Sequence, residues 1–237
     1  MKRASNVEIN VLWSPQVTSR FPDLAICIGI VKNIHAEKEN NQIRKLREEL
    51  CEEVRTRYDA ETLKDNPIVR AYRDLYWRLD IDPTKTRPSG EALLRRVLHG
   101  SELPNISTAV DAYNLASMKT IIPVSGFDLD RLAPPFEVRF AKDGETFTGI
   151  GMETPIPLTS RTLILVDEKQ ILCVYPYRDS NYTKITTKTQ NVAIVGYGAP
   201  RIEPKQLKDA VETALAFIIK VAGGEIAAVK VFQKSSI

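Results

Sequence analysis

Three polar clusters interrupt apolar stretches of this chain and hold most of its chemically capable side chains. The first is Asp111-Ala-Tyr-Asn114, inside a stretch with helical character, where Asp111 and Asn114 are three apart and share a face. Asp and Asn are mediocre residues for a helix interior, so they either fix an adjoining loop by hydrogen bonds or contact a ligand. The second is Ser125-Gly126-Phe127-Asp128, leading into a turn. Asp128 reads as the cap of Asp-Leu-Asp-Arg, and Ser125 and Gly126 are open to a pocket role. The third is Tyr175-Pro-Tyr177-Arg178-Asp179-Ser180-Asn181-Tyr-Thr183, which follows an apolar strand and so sits at its C-terminal end and in a loop. An adjacent Arg–Asp pair beside Ser and Thr can bind a polar ligand through charge-assisted hydrogen bonds. As a plain surface turn, the same pair is a weak exposed ion pair. Thr186-Thr187-Lys-Thr189 continues the run, as a pocket edge or a polar turn before the next strand.

Other chemistries are missing. The two histidines, His35 and His99, have no second histidine at metal-binding spacing, and His99 beside Gly100 suits an interaction with a helix C-terminus. No Walker loop, no G-x-G-x-x-G after a strand and no G-x-S-x-G elbow is present. Gly149-Ile-Gly151 lacks the third glycine and reads as a bulge or turn. These gaps disfavour an ordinary Ser–His–Asp hydrolase, a zinc enzyme, a nucleotide kinase and a dehydrogenase, and no metal or cofactor is expected.

The elements that must position the clusters are mixed. Residues 7–12 and 24–34 read as strands, the second apolar enough to be buried on both faces. Residues 36–57 form a charged helix with one narrow apolar stripe, Ile43, Leu46, Leu50 and Val54. Pro67 opens a helix to about residue 79. Ser89 is a good N-cap for a helix that ends at Gly100, with Glu91 in its first turn. Ser107 caps another helix running to about Met118, and residues 119–124 form a short strand. The second half is strand-rich, over 136–141, 144–149, 162–167, 171–177 and 192–197. Asp143-Gly144 and residues 167–170 mark hairpins. A helix from Pro204 to Ala222, stopped by two glycines, precedes a last strand. This order argues for an α+β (irregular α/β) fold rather than a doubly wound parallel one.

The chain has 237 residues, 43% hydrophobic and 27% charged, ordinary values for a globular protein with a real core. A single compact domain over residues 1–237 is expected. No apolar run suits a membrane span, and the start lacks the apolar segment of a secretory signal. Three scattered cysteines, Cys27, Cys51 and Cys173, match neither a disulfide framework nor a zinc site, and read as buried free thiols. A reducing, cytoplasmic compartment is therefore expected. The net charge of +3 means that any phosphate-binding surface must be local.

In order along the chain, RPSGEALLRRVL, LPNISTAVDAYNLASM, GFDLDRL, EVRFAKDGETF, TLILVDEKQIL and TKTQNVAIVGY resemble the B3/B4 domain of the phenylalanyl-tRNA synthetase β subunit. The resemblance runs from about residue 82 to 200. The β–α stretch 1–80 and the helix–strand 201–237 look like the additions of free-standing B3/B4 proteins of prokaryotes. Asp111, Asn114, Asp128, Arg139 and Glu145 match the family pattern. The histidine of the synthetase's H-A-F-D turn is replaced by Ser125, and its late strand glutamate by Val195. The synthetase's glycine-rich pocket loop falls near Arg178-Asp179-Ser180. The scaffold is kept and the pocket is rewritten.

The resemblance implies binding to the acceptor end of charged tRNA and hydrolysis of a wrongly attached amino acid by a trans-acting deacylase. It does not imply a complete synthetase. A non-catalytic tRNA-binding module and a small-molecule, amino-acid-type enzyme on the same scaffold are the alternatives. Ester hydrolysis needs a positioned water, oxyanion donors and a grip on substrate. On this reading Asp179 or Asp128 orients water or the amine, and Arg178 and Asn114 stabilise the carbonyl oxygen. Ser125, Gly126, Ser180, Thr187, Asp111 and Tyr177 line a common pocket around them. Lys85, Arg87, Arg95, Arg96 and Lys184 are candidates for phosphate contacts, or solvated surface charge.

Overall fold

The computed structural model describes residues 9–234, so Val7 and Glu8 of the expected first strand lie outside them. The fold is α+β. One sheet has the order β1-β4-β7-β8-β9, formed by Val11–Trp13, Phe136–Phe140, Leu163–Val166, Ile171–Val174 and Arg178–Asp179. Its β1–β4 pair is parallel and the remaining pairs are antiparallel. A second sheet is wholly antiparallel, in the order β11-β2-β10-β3, from Glu225–Gln233, Ala25–Lys32, Val192–Tyr197 and Val124–Asp128. A short hairpin, β5 (Thr146–Phe147) with β6 (Ile156–Pro157), contributes Phe147 to a small cluster with Leu158, Ile164, Val166 and Val174.

Alternation along the strands sorts side chains between layers. On the second sheet, Gly29 and Gly196 face α6 (Pro204–Ala222). A Cβ on Gly29 would lie 2.7 Å from Val211 and 2.8 Å from Leu215. The small residue lets the helix seat directly on the strand. On the opposite face, Ser125 and Tyr197 meet the first sheet. Tyr197 donates to Cys173 Sγ at 3.2 Å, and the rings of Tyr175 and Tyr197 pack edge to face, 4.9 Å between centroids. Tyr175 also donates to the Gly198 carbonyl at 2.9 Å. Buried tyrosines thus enclose large ring areas while their hydroxyls find partners across the junction.

Several elements differ from expectation. A short helix, α1 (Pro15–Arg20), lies where none is expected. Ser14 caps it and Pro15 occupies its first turn. The helix expected from residue 36 is α2, Asn41–Arg57, because Asn40 accepts the Ile43 N–H and caps it. The helix opened by Pro67 is α3, Pro67–Arg78, capped by Asn66. In α4, Ser89–Leu98, the N-cap is Pro88, and Ser89 lies inside the helix with its hydroxyl 3.2 Å from that of Ser117. The strand expected over residues 119–124 is instead the end of α5, Thr108–Thr120, whose C-cap Ile121 is left-handed. β3 then starts at Val124 and contains Ser125 and Gly126. Cys27 and Cys173 are buried free thiols, whereas Cys51 is half-buried.

Placing a methyl at the helix–sheet contact tests this packing. Gly29→Ala is expected to lose about 1–3 kcal/mol, read as a lower denaturant midpoint with unchanged m-value. An unchanged midpoint would show that α6 does not rest on β2 as described.

Candidate functional site

Ser125 and Asp179 are 54 residues apart in sequence, on edge strands of different sheets, β3 and β9. Their side chains meet. Ser125 Oγ donates to Asp179 Oδ1 at 2.7 Å. Ser125 occupies the register position opposite Val195, and Asp179 pairs with Cys173, so both point into the space between the sheets. Asp179 keeps partial exposure at the strand edge, but its carboxyl is enclosed. Burial pushes it up from 3.8 to about 6, against the opposing pull of the Ser125 hydrogen bond and the Arg178 charge. Burial likewise raises the Cys173 thiol and the Tyr113 and Tyr197 phenols, and in each case the nearby Asp179 charge adds to the effect. Tyr113, from α5, lies against Gly126: a Cβ there would be 2.7 Å from its ring.

The structure divides the other expected site residues among several places. Arg178 alternates with Asp179 along β9 and faces the other way. Its Nη1 donates to the Ile150 carbonyl at 3.1 Å and its stem covers Gly149, so it is not an oxyanion donor beside Ser125. Ser180 is buried along a cavity of about 430 Å³ with Arg139, Glu145, Asp167 and Tyr182. In that cavity the Arg139 fork is bidentate to Glu145, at 2.8 and 2.7 Å. This hydrogen bonding, against a smaller burial effect, holds Glu145 down at about 2. Tyr177 lines a separate cavity of about 280 Å³ with Leu79, Ile81 and Arg161. Thr187 is exposed, and the buried threonines of that segment are Thr183 and Thr189. The common cleft expected for all these residues is therefore not formed; Ser125 and Asp179 are the two that meet.

Asp128 and Asp111 do positional work. Asp128 accepts from the Asp130 N–H at 3.2 Å and from Thr189 Oγ1 at 2.8 Å, leaving it committed to the turn. Asp111 accepts from Arg47 at 2.7 Å and from the Ile106 N–H at 3.0 Å, tying α2 and the preceding loop to α5. Burial nevertheless raises its pKa. Asn114 is half-buried and its amide makes no hydrogen bond among the described residues. It stands one residue beyond Tyr113 on the helix that packs against β3.

Of the five expected phosphate-binding residues, four share one cleft of about 650 Å³ beside α4: Lys85, Arg87, Arg95 and Arg96, joined by His99 and Ser101. Lys184 lies elsewhere, bridged to Phe127 at the edge of β3 and donating to Asn181 at 2.8 Å. Sequence reasoning missed Tyr113, Tyr197 and Cys173 at the Ser125–Asp179 junction. Tyr113 stands inside the Asp111–Asn114 cluster, off the face that Asp111 and Asn114 share. Tyr197 and Cys173 sit in apolar strands and carry no such signal.

The chain belongs to the B3/4 domain family, whose pattern matches residues 71–223, extending beyond the expected 82–200 through α6. The phenylalanine–tRNA ligase β subunit of Francisella tularensis subsp. tularensis is 29% identical over 153 residues, covering 55% of this chain and 19% of that protein. The corresponding subunit of Haemophilus ducreyi is 26% identical over 159 residues, covering 57% and 20%. This chain thus spans about a fifth of the length of these relatives. A solved N-terminal fragment of the phenylalanyl-tRNA synthetase β subunit from Pyrococcus horikoshii aligns with a TM-score of 0.49 at 15% identity, over 92% of this chain and 50% of that one. Among the described residues no helix is long and apolar enough to cross a membrane.

The raised Asp179 pKa makes a stability prediction with a defined sign. Between 3.8 and about 6 the folded chain holds a proton that the unfolded chain has released. Stability contributed by this group therefore falls as pH rises through that window and stays lowered above it. Asp179→Asn does not ionise, so its melting temperature relative to wild type should climb across the window and level off above about 6. A difference that stays flat from below 3.8 to above 6 would show that the carboxyl is not buried as described.

Proposed function

We propose that this chain is a tRNA-binding aminoacyl-tRNA deacylase that hydrolyses the ester of a mischarged tRNA in a cytoplasmic setting, with residues 1–237 acting as one compact unit. The observation that carries this reading is the Ser125–Asp179 hydrogen bond at the junction of the two sheets, inside the region matched to a family found in phenylalanine–tRNA ligase β subunits. A carboxyl with a pKa of about 6 is poised between its two forms near neutral pH, which suits a general base.

In the proposed reaction, the Asp179 carboxylate takes a proton from a water as its oxygen adds to the ester carbonyl. The tetrahedral intermediate collapses with cleavage of the bond to the ribose oxygen. That oxygen leaves with the proton returned by Asp179, directly or relayed through the neighbouring ribose hydroxyl, giving free amino acid, uncharged tRNA and the Asp179 carboxylate again. Ser125 holds the carboxylate oriented, and the Asn114 amide is the remaining donor candidate for the carbonyl oxygen. Arg178 and Asp128 drop out of the machinery, because the Ile150 carbonyl and the turn at Thr189 already engage them.

A second reading, an RNA-binding module without hydrolysis, draws on Val195 opposite Ser125, since the resemblance puts an ionisable pair at those two positions. One assay separates the two. The isolated chain is mixed with a panel of mischarged tRNAs and release of amino acid is followed. Deacylation should rise with pH through about 6, and Asp179→Ala should lower it by about 10²-fold or more. Ser125→Ala should move the rise to higher pH, because its hydrogen bond lowers the Asp179 pKa. Tight tRNA binding without release from any member of the panel would leave the module reading standing and overturn the deacylase.

A further inference from the structure

The proposed hydrolysis uses none of the side chains in the cleft beside α4, and those side chains have an unbalanced charge. No carboxylate among the described residues lines the cleft. Among the described residues, Arg87 and Arg96 have no carboxylate in salt-bridge contact, and Lys85 reaches Asp82 only at 4.0 Å. Arg96 spends its Nε on the Glu102 carbonyl, which fixes the guanidinium and leaves its terminal nitrogens free. Lys85, Arg87 and Arg96 are all exposed. Like charges gathered in a concavity raise the local potential, and only an anion neutralises it.

The wall behind them is built. Glu91, 1% exposed, accepts from Arg73 Nε at 2.8 Å and from Arg95 Nε at 2.7 Å. Burial opposes its ionisation, and the two guanidinium hydrogen bonds outweigh that, keeping its pKa below the usual carboxylate range. Arg95 also donates to the Ala60 carbonyl at 3.0 Å. Arg95 is therefore a locked structural cation, and Arg87, Arg96 and the loosely paired Lys85 line the same cleft beside this rigid support. His99 anchors the far end through a 2.6 Å contact between Nδ1 and the Arg95 carbonyl, and Ser101 adds a hydroxyl.

We infer that the Lys85–Arg87–Arg96 cleft binds the phosphodiester backbone of RNA, as a grip separate from the Ser125–Asp179 pair. The choice of RNA among polyanions rests on the tRNA reading above. Guanidinium forks suit phosphate oxygens, and Arg87, Arg96 and Lys85 gather in one cleft without a lining carboxylate among the described residues. The grip is joined to the proposed hydrolytic pair through packed helices. Gly90 of α4 presses on the backbone of Ile121 at the end of α5, and Tyr113 of α5 lies on Gly126 beside Ser125. The cleft supplies binding rather than chemistry, so its loss raises KM and leaves turnover at saturating substrate in place.

The test is a salt titration of uncharged tRNA binding to wild type, to Arg87→Glu alone, and to the Lys85→Ala/Arg87→Ala/Arg96→Ala triple variant, with melting curves alongside. Removing one phosphate-binding cation should reduce the slope of log affinity against log salt by about one. The triple variant should therefore fall by roughly two to three units of slope and by about tenfold or more in low-salt affinity. Its melting temperature should stay unchanged, because the three side chains are exposed. Arg87→Glu should weaken binding further than simple removal of that one cation, since it sets a negative charge against the phosphates. Wild-type affinity and slope in the triple variant overturn the cleft and leave the tRNA reading intact. Failure of the wild-type chain to bind tRNA at any salt overturns both.

Discussion

The structure depends on a junction in which two sheets meet through hydroxyls rather than through aliphatic side chains alone. Ser125 to Asp179, Tyr197 to Cys173 and Tyr175 to the Gly198 carbonyl are polar stitches set in an apolar interior. An enclosed polar group without a partner costs more than a typical pair contributes, so the strand registers on both sides must bring each donor to its acceptor. That requirement fixes β3 and β10 relative to β8 and β9. It also places the Asp179 carboxyl at a strand edge between the sheets, where it is half-buried. The same enclosure that makes Asp179 a poor carboxylate makes it a titratable group near neutrality.

The helices act on this junction from behind. α6 seats on β2 and β10 through glycine notches, and α5 brings Tyr113 onto Gly126. α5 is itself held by Arg47 from α2 and by the serine contact to α4. α4 in turn carries Glu91, Arg95 and Arg96, with Arg73 of α3 on Glu91 and the loop before α4 bringing Lys85 and Arg87 to the same cleft. The proposed function therefore needs two separated elements: an enclosed carboxyl for chemistry and a rigid basic cleft for substrate.

The elements themselves are largely legible in the sequence, because helix caps, prolines and apolar alternation are local signals. Asn40 shows why boundaries slip: a good cap inside a charged stretch starts the helix later than composition suggests. The site is less legible. Arg178 and Asp179 look like a pair in sequence, yet a strand turns neighbours to opposite faces, and a polar segment that resembles a loop hides this. Asp111 shows its helical setting in sequence, but nothing near it names Arg47, 64 residues away. Thr187 does not differ in type from Thr183 and Thr189, and only the fold decides which of the three is enclosed. Conversely, the basic residues 85, 87, 95 and 96 are readable as a group because a loop and one helix keep them together. Arg95's commitment to Glu91 is not readable, since acid–base neighbours four apart usually pair weakly at the surface.

Asp179 as an enclosed carboxyl at the aminoacyl end of the substrate is the claim on which the proposed function turns. The most direct measurement is a carbon-detected NMR titration of that carboxyl, alone and with a non-hydrolysable aminoacyl-adenosine. The predicted result is a midpoint near 6 in the free chain and a displaced midpoint when the aminoacyl group is bound. A midpoint near 3.8 that ignores the compound would contradict it.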